Sequence, residues 1–527
     1  MKKNIFFALL AIFCLVSCAK QKPLELLPSE GVYYSLFVRS FCDSDGDGTG
    51  DFKGIIQNLD YLNDGNPKTK TDLGITGLWL LPIYPSPSYH GYNVDNYYDV
   101  NPDYGTMEDF EKLIAECNKR GIHVMLDITL NHSSVNNPYF IASKNPEDSH
   151  REWYHWVSKD DPNVYLGTKI WGHNLWNEDA AHPGFYYAGE FEGGMPDYNL
   201  NNSALRAEFK NILKFWLDKG VSGFRFDAAG HIYDSIKYPK GEASVEKAVD
   251  FWKEMTDYIH SVKKDAYNVA EVWDSSLLRA RYAFGTGSTF HFDMGTRILS
   301  TVASGSSPSN ALAFGMQEDY AKLAEFAPNA IDSPFLTNHD QVRAASTLKG
   351  DVPSLKLAAA LYIFAPGTPF IYYGEEIGMK SGSRDETKRT PFLWGASYKG
   401  ETTWANENDC IYNKNTLSVS EQQKNSESLL SYYKTLIRAK TENPALLRGK
   451  FDSYSLQSDF VVSWKMESEE QSAIVVSNVG KEKIIVKATD IPDSAKVVFA
   501  SSKESNFKSG EIALNPQETL VIAWLKS

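Results

Sequence analysis

Three carboxylates and two histidines stand directly behind apolar runs in this sequence, where a solvated turn residue is the ordinary occupant. The segments are DITLNH (Asp127 to His132), GFRFDAAGH (Gly223 to His231), AEVWD (Ala270 to Asp274) and FLTNHD (Phe335 to Asp340). Asp227, Glu271 and Asp340 each close such a run, and His132 and His339 accompany them. Carboxyl groups gathered in one site can divide the work of nucleophile, general acid and electrostatic stabiliser, because their mutual repulsion separates their proton affinities. Arg225 precedes Asp227 by two residues, so on a strand it shares that residue's face and can pair with it.

These residues need elements that converge on one point. Strand-like runs recur along the chain as GVYYSLFVRSF, ITGLWLLPI, GIHVMLDITL, GFRFDAA, YNVAEVWD, STFHFDM, AIDSPFLT and TPFIYYGEE. Between them, MEDFEKLIAECNKRG, SALRAEFKNILKFWLDKG and the segment from Val245 to Val262 carry apolar residues every three to four positions, as amphipathic helices do. Eight such alternations predict an α/β fold, a (β/α)8 TIM barrel, whose functional groups sit at the C-terminal ends of the strands. The motif residues fall at those ends. The spacing breaks between residues 133 and 199 into a loop-rich stretch with Trp153, Trp156, Trp171, Trp176, Tyr186 and Tyr187. A structureless loop of that length is uncommon, so this is read as an inserted subdomain after the third strand. From residue 449 the runs FVVSWKM, SAIVVSNV, KIIVKAT, AKVVFA and TLVIAWL alternate as in a C-terminal antiparallel β-sandwich. The expected organisation is therefore barrel over 31–132 and 200–448, insert over 133–199, and sandwich over 449–527.

The start, MKKNIFFALLAIFCLVSC, has a basic head and an apolar stretch too short to span a bilayer securely, which reads as a secretory signal over 1–17. Leu15, Val16, Ser17 and Cys18 resemble a bacterial lipobox. That resemblance implies cleavage before Cys18, lipid attachment to its thiol, a tether over 18–30 and a membrane-anchored, extracytoplasmic protein. Loss of residues 1–17 would take Lys2 and Lys3 away and move the formal net charge from -14 to -16 (51 basic minus 67 acidic). Such a balance argues against nucleic acid as a partner. Cys42, Cys117 and Cys410, the only later cysteines, have no metal-ligand spacing and form no disulfide framework.

In this order and on this barrel, the four motifs resemble the α-amylase family of glycoside hydrolases from about Gly31 to the C-terminus. MPDYN (Met195 to Asn199) and RTPFLW (Arg389 to Trp394) extend the match. MPDYN is closest to the version in enzymes intermediate between the oligo-1,6-glucosidase and neopullulanase groups. The resemblance implies retaining hydrolysis of α-glucans such as starch and maltodextrins. Asp227 would be the nucleophile, Glu271 the acid and then the base, and Asp340 the group that grips hydroxyls of the distorted sugar. The chemistry itself asks for two carboxyls roughly 5 to 5.5 Å apart, and neighbouring barrel strands can supply that gap. The acid must carry its proton near neutral pH, which the charges of Asp227 and Asp340 would favour. By similarity Tyr92, His132 and His339 bind the sugar on the non-reducing side of the cut, and His231 lies toward the leaving group. Many family members carry lysine before that histidine; here it is Gly230. Asp127 is read as orienting its neighbours. Ala228, after the nucleophile, goes in the family with α-1,4 cleavage, and an extracytoplasmic anchor suits an enzyme that cuts a polymer too large to import, so an endo-acting α-amylase is expected. Exo-acting α-glucosidase or maltogenic action, oligo-1,6-glucosidase-like cleavage and transfer to another sugar are the alternatives. From a different class, a non-catalytic glycan-binding lipoprotein would be expected to have lost a catalytic carboxylate.

DSDGDGTGD (Asp43 to Asp51) repeats acidic residues at alternate positions, which suits a hard, oxygen-seeking cation. It is not an EF-hand, since its twelfth position is Gly54 and it follows a strand. The dense repulsion favours a counter-ion, and family members bind calcium here. Asp43, Asp45, Asp47, the Thr49 carbonyl and Asp51 are the expected ligands of a structural calcium ion. Asn131 matches a ligand of a second calcium site in many α-amylases, with Asp179 one of several candidate partners.

Overall fold

The computed structural model describes residues 26–233 and 244–526. The signal-like start and Cys18 lie outside the described residues. Parallel strands Tyr33–Leu36, Gly77–Leu80, His123–Ile128, Gly223–Phe226, Val269–Ala270, Ser288–Phe290, Ile331–Ser333 and Phe370–Tyr372 lie side by side, with the eighth beside the first. The Thr368 N–H donates to the Asp332 carbonyl and the Phe370 N–H to the Pro334 carbonyl, both at 2.9 Å, which joins the seventh strand to the eighth and closes the barrel. Most strand residues are buried on both faces, so the strands read as continuous apolar runs without alternation.

The helices outside the barrel follow from their caps and stripes. Met107–Lys119 begins in a capping box between Thr106 and Asp109 and buries Phe110, Leu113, Ile114 and Cys117. Ser203–Asp218 is capped by Asn202 and buries the stripe from Leu205 to Trp216, while Val245–Val262 is capped by Ser244. The fourth strand starts at Gly223, with φ 151° and a position where an added Cβ would sit 1.8 Å from the Tyr267 carbonyl oxygen. Only glycine lets the fourth strand approach the segment leading into the fifth so closely.

After the third strand the chain forms a three-stranded antiparallel sheet (Trp156–Ser158, Phe185–Ala188, Trp176–Glu178) and a short hairpin (Lys169–Ile170 with His173–Asn174). The MPDYN segment returns this insert to the barrel. Asp197 pairs with His132 in a β-bridge, the Tyr198 N–H donates to the Asn131 carbonyl at 2.9 Å, and the Ser133 N–H donates to the Pro196 carbonyl at 3.1 Å.

The C-terminal strands form a five-stranded and a three-stranded antiparallel sheet. The three central strands of the larger sheet, Val461–Glu467, Gln471–Asn478 and Thr519–Leu525, are largely buried on both faces. Val462, Trp464, Met466, Val475 and Val521 join the barrel core, whereas the alternate residues Val461, Ile474, Val476, Leu520 and Ile522 pack in the core shared with Ile512 and Leu514 of the smaller sheet. The period of two expected of strands is thus present, but the central strands are largely buried on both faces, while the edge strands Lys450–Ser453 and Lys496–Ala500 are partly exposed. Among the described residues no helix is long and apolar enough to cross a membrane.

Candidate active site

Strand register builds the centre of the site. Asp127 on the third strand is the register partner of Arg225 on the fourth, and Arg225 is paired in turn with Val269 on the fifth. Alternation then places Asp227 on the same face as Arg225. Arg225 is fully buried. Its Nη1 donates to Asp127 Oδ1 at 2.8 Å and to Asp227 Oδ1 at 2.5 Å, and its Nη2 donates to Glu271 Oε2 at 2.7 Å. One planar fork therefore fixes three carboxylates from three adjacent strands. Glu271 Oε2 also accepts the Ala228 N–H at 2.9 Å.

One guanidinium cannot neutralise three carboxylates. Burial pushes Asp127 up to about 6 against the pull of Arg225. Burial likewise raises Asp227, with Glu271, Asp127 and Asp340 adding to the rise and Arg225 opposing it. Asp127 and Asp227 thus hold their protons more tightly than ordinary carboxyls do. The expectation that Arg225 pairs with Asp227 holds in the geometry, but its pull does not outweigh burial and the neighbouring charges.

Asp340 stands apart from that fork, its side chain 36% exposed. Arg389 Nη2 donates to Asp340 Oδ1 at 2.9 Å, and His339 Nε2 lies 3.2 Å from Oδ2. His339 stacks on Tyr92, with ring centroids 5.5 Å apart and planes 8° from parallel, and its Nε2 lies 2.6 Å from the Tyr92 hydroxyl. Burial, reinforced by the positive charges of Arg389 and Arg225, holds His339 well below the usual histidine range, so the ring is neutral. The Tyr92 hydroxyl donates to Asp127 Oδ2 at 3.0 Å, where Trp79 Nε1 also donates at 3.2 Å.

The remaining sugar-side candidates lie on the insert side. His132 is buried, its Nδ1 3.2 Å from Asn131 Oδ1 and its ring 5.0 Å from that of Phe191. His231 Nδ1 lies 3.0 Å from Glu190 Oε1, and its ring meets Trp171 and Phe191 edge-on at 5.3 and 5.5 Å. Position 230 is open, with Val272 the nearest contact of an added Cβ at 3.8 Å.

The structure brings Asp127, Asp227, Glu271 and Arg225 into direct contact and places Asp340, His339 and Tyr92 beside them. Sequence reasoning did not single out Trp79, Glu190, Phe191 or the role of Arg389. Arg389 was inside a quoted motif, but nothing in its spacing points to Asp340, 49 residues earlier. Trp79 lies within an apolar run and reads as core until its indole N–H is seen to reach Asp127.

In the acidic loop, ligand oxygens of Asp43, Asp45 and Asp51 lie within 4.8 Å of one another. Asp43 and Asp51 are buried, and among the described residues no lysine, arginine or histidine pairs with either of them or with Asp45 and Asp47. Buried carboxylates without a cationic side chain fit a hard metal ion. Asp47 lies outside this group, exposed, with Oδ1 accepting the Thr49 N–H at 2.7 Å. Asn131 donates its amide N–H to the His231 carbonyl at 2.9 Å, its Oδ1 lies 3.2 Å from His132 Nδ1, and Asp179 Oδ2 lies 2.8 Å from His182 Nδ1.

Comparison with known proteins follows this geometry. Residues 35–449 match the family described as alpha amylase, catalytic domain. Alpha-amylase 3 of Dictyoglomus thermophilum is 37% identical over 93% of this chain and 92% of its own length. The 4-alpha-glucanotransferase of Thermotoga maritima is 30% identical over 88% of this chain and 99% of its own. The crystal structure of the alpha-amylase from H. orenii superposes with a TM-score of 0.84 at 38% identity, covering 95% of this chain and all of that one. The chain is an enzyme, a retaining glycoside hydrolase, and belongs to the alpha-amylase family.

Proposed function

We propose that the enzyme is an endo-acting α-amylase that hydrolyses α-1,4 bonds of starch and malto-oligosaccharides by double displacement. The observation that carries this reading is the single guanidinium that holds both Asp227 and Glu271, at 2.5 and 2.7 Å, so that a nucleophile and an acid stand side by side at the ends of neighbouring strands. Glu271, as the general acid, gives a proton to the glycosidic oxygen while the Asp227 carboxylate attacks the anomeric carbon, so that the bond to the leaving oxygen breaks and a glycosyl ester forms. Glu271, now ionised, takes a proton from water, whose oxygen displaces Asp227 with a second inversion. Asp340, His339, Tyr92 and His132 hold the distorted sugar, and His231 contacts the leaving side. Asp43, Asp45 and Asp51 would hold a structural calcium ion that pins the loop after the first strand, with Asp47 and the Thr49 carbonyl as outer contributors. The extracytoplasmic, lipid-anchored location rests on the lipobox-like sequence at Cys18. Loss of labelled-lipid incorporation in Cys18→Ser is its check.

A specific observation favours exo action as the second reading. Arg389 pairs with Asp385, Tyr89 bonds to both, and Tyr89 stacks on Trp404 at 5.3 Å, a partly exposed wall beside Asp340 that would stop a chain from running past. A product time course on soluble starch and on end-labelled maltoheptaose, beside Asp227→Asn, separates the two. Mid-chain fragments with early loss of iodine staining support endo action. Glucose or maltose released alone from one end overturns it, and elongated products would identify transfer.

A further inference from the structure

Arg343 is a buried cation that the chemistry above does not use. It lies three residues after Asp340, is 2% exposed, and among the described residues forms no ion pair with a carboxylate. Its Nη2 has no hydrogen-bond partner, and the charge is felt by Glu375 and Glu376 without a bond to either. Burying an arginine in this way is costly, so something else is gained by it.

What it holds is the segment that holds Asp340. The guanidinium lies over Tyr372 and Tyr373, 4.4 and 4.8 Å from their ring centroids. Its Nη1 donates to the Tyr373 carbonyl at 2.6 Å and its Nε to the Lys388 carbonyl at 3.1 Å. The same Lys388 carbonyl accepts the Tyr372 hydroxyl at 3.0 Å. Lys388 returns its Nζ to the Asp340 carbonyl at 2.9 Å, and the next residue, Arg389, reaches the Asp340 carboxylate. The loop is thus closed on itself: Asp340 leads along the backbone to Arg343, Arg343 to Lys388, and Lys388 with Arg389 back to Asp340. Asp340 is half-exposed and makes no contact with the Arg225 fork, so its aim depends on this circuit.

We propose that Arg343 is a positioning residue that sets the aim of Asp340 by fixing the Lys388 carbonyl against the end of the eighth strand. The inference rests on the reading of Asp340 as the group that grips the distorted sugar. Lysine at 343 keeps the charge but cannot reach two carbonyls with a fixed fork.

The test compares Arg343→Lys, Tyr372→Phe and Asp340→Asn in the full-length enzyme. Arg343→Lys should lower kcat on maltoheptaose about tenfold with KM changed less than about twofold, the split expected when an interaction of the transition state is lost. Tyr372→Phe removes the second donor on the Lys388 carbonyl and should act in the same direction, more weakly. It keeps the test alive should Arg343→Lys prove unstable by its melting temperature. Affinity for a cyclic aminosugar that mimics the flattened, cationic ring should fall in Arg343→Lys while maltotriose affinity holds. In an Asp340→Asn background, Arg343→Lys should cause no further loss of aminosugar affinity. Wild-type kcat in a folded Arg343→Lys, or losses that multiply in the double variant, would overturn the proposal alone. Wild-type kcat in Asp340→Asn would overturn the reading of Asp340 and this inference with it.

Discussion

Ala228 shows how one residue joins backbone to chemistry. The family association of alanine here with α-1,4 cleavage is only a correlation, but the structure supplies a physical reason for a small side chain. Ala228 has φ 49° and ψ 33°, the left-handed region, where a β-branched side chain is a severe outlier. Its N–H is also one of the two donors on Glu271 Oε2, so any shift that relieves strain moves the acid. Ala228→Val is therefore expected to lower kcat on maltoheptaose at least tenfold, about 1.4 kcal/mol of barrier, whereas Ala228→Gly stays within about threefold of wild type. Equal activity of the two variants would show that the conformation does not matter to the acid. The carboxylate positions were readable because an acid closing a buried strand breaks the ordinary pattern. The sharing of one guanidinium among Asp127, Asp227 and Glu271 was not, because register between strands 3 and 4 depends on nearly a hundred intervening residues.

At the scale of elements, barrel strands were legible from run length and from the helical spacing between runs. The fifth was the least so, since only Val269–Ala270 is laddered while the longer apolar run around it is loop. The acidic loop was legible as a carboxylate cluster able to hold a cation, but its membership was not, because alternation alone cannot say that Asp47 turns outward while Asp51, the cap of the helix Phe52–Gln57, turns in. Chelation should therefore lower the melting temperature of the wild type, and Asp43→Asn should melt at the lower temperature with or without calcium. A chelator effect that persists in Asp43→Asn would place the ion elsewhere. A second element-scale expectation concerns the seam after the eighth strand. Glu375 is fully enclosed and accepts the hydroxyls of Tyr362 and Tyr433 at 2.7 and 2.8 Å, and burial pushes its carboxyl up to about 7 from the ordinary 4.5. Between those two values the folded chain keeps a proton that the unfolded chain has lost, so this contribution is whole below about 4.5 and disappears as pH rises through about 7. The window is worth roughly 3 kcal/mol. Urea midpoints across it should slope downward in the wild type and lose that part of the slope in Glu375→Gln, which keeps the acceptor but cannot titrate. An identical slope in both would assign the proton to another group.

The whole molecule is tied together more tightly than its division into barrel, insert and sandwich suggests. The five-stranded C-terminal sheet is a middle layer: Trp464, Met466 and Val475 continue the barrel core, and Phe499 packs on Phe364 and Tyr432 of barrel helices at 5.0 and 5.7 Å. Polar stitches reinforce this face. Asn310 Nδ2 donates to the Ser463 carbonyl at 2.7 Å, and its Oδ1 accepts the Ser463 N–H at 3.1 Å, which pairs a barrel loop with a sheet strand as another strand would. Truncating the chain before residue 449 would therefore uncover an apolar barrel face, and the remaining chain is expected to aggregate. Trp464 tests the same coupling without deletion. It is fully buried, and Trp464→Ala should cost about 3 to 5 kcal/mol. If the sandwich and barrel share one core, that loss lowers the temperature at which activity disappears together with the temperature at which C-terminal strand structure melts, in a single transition. Melting of the sheet alone, with activity retained to the wild-type temperature, would show instead that the barrel is an independent unit and that the middle layer only leans on it.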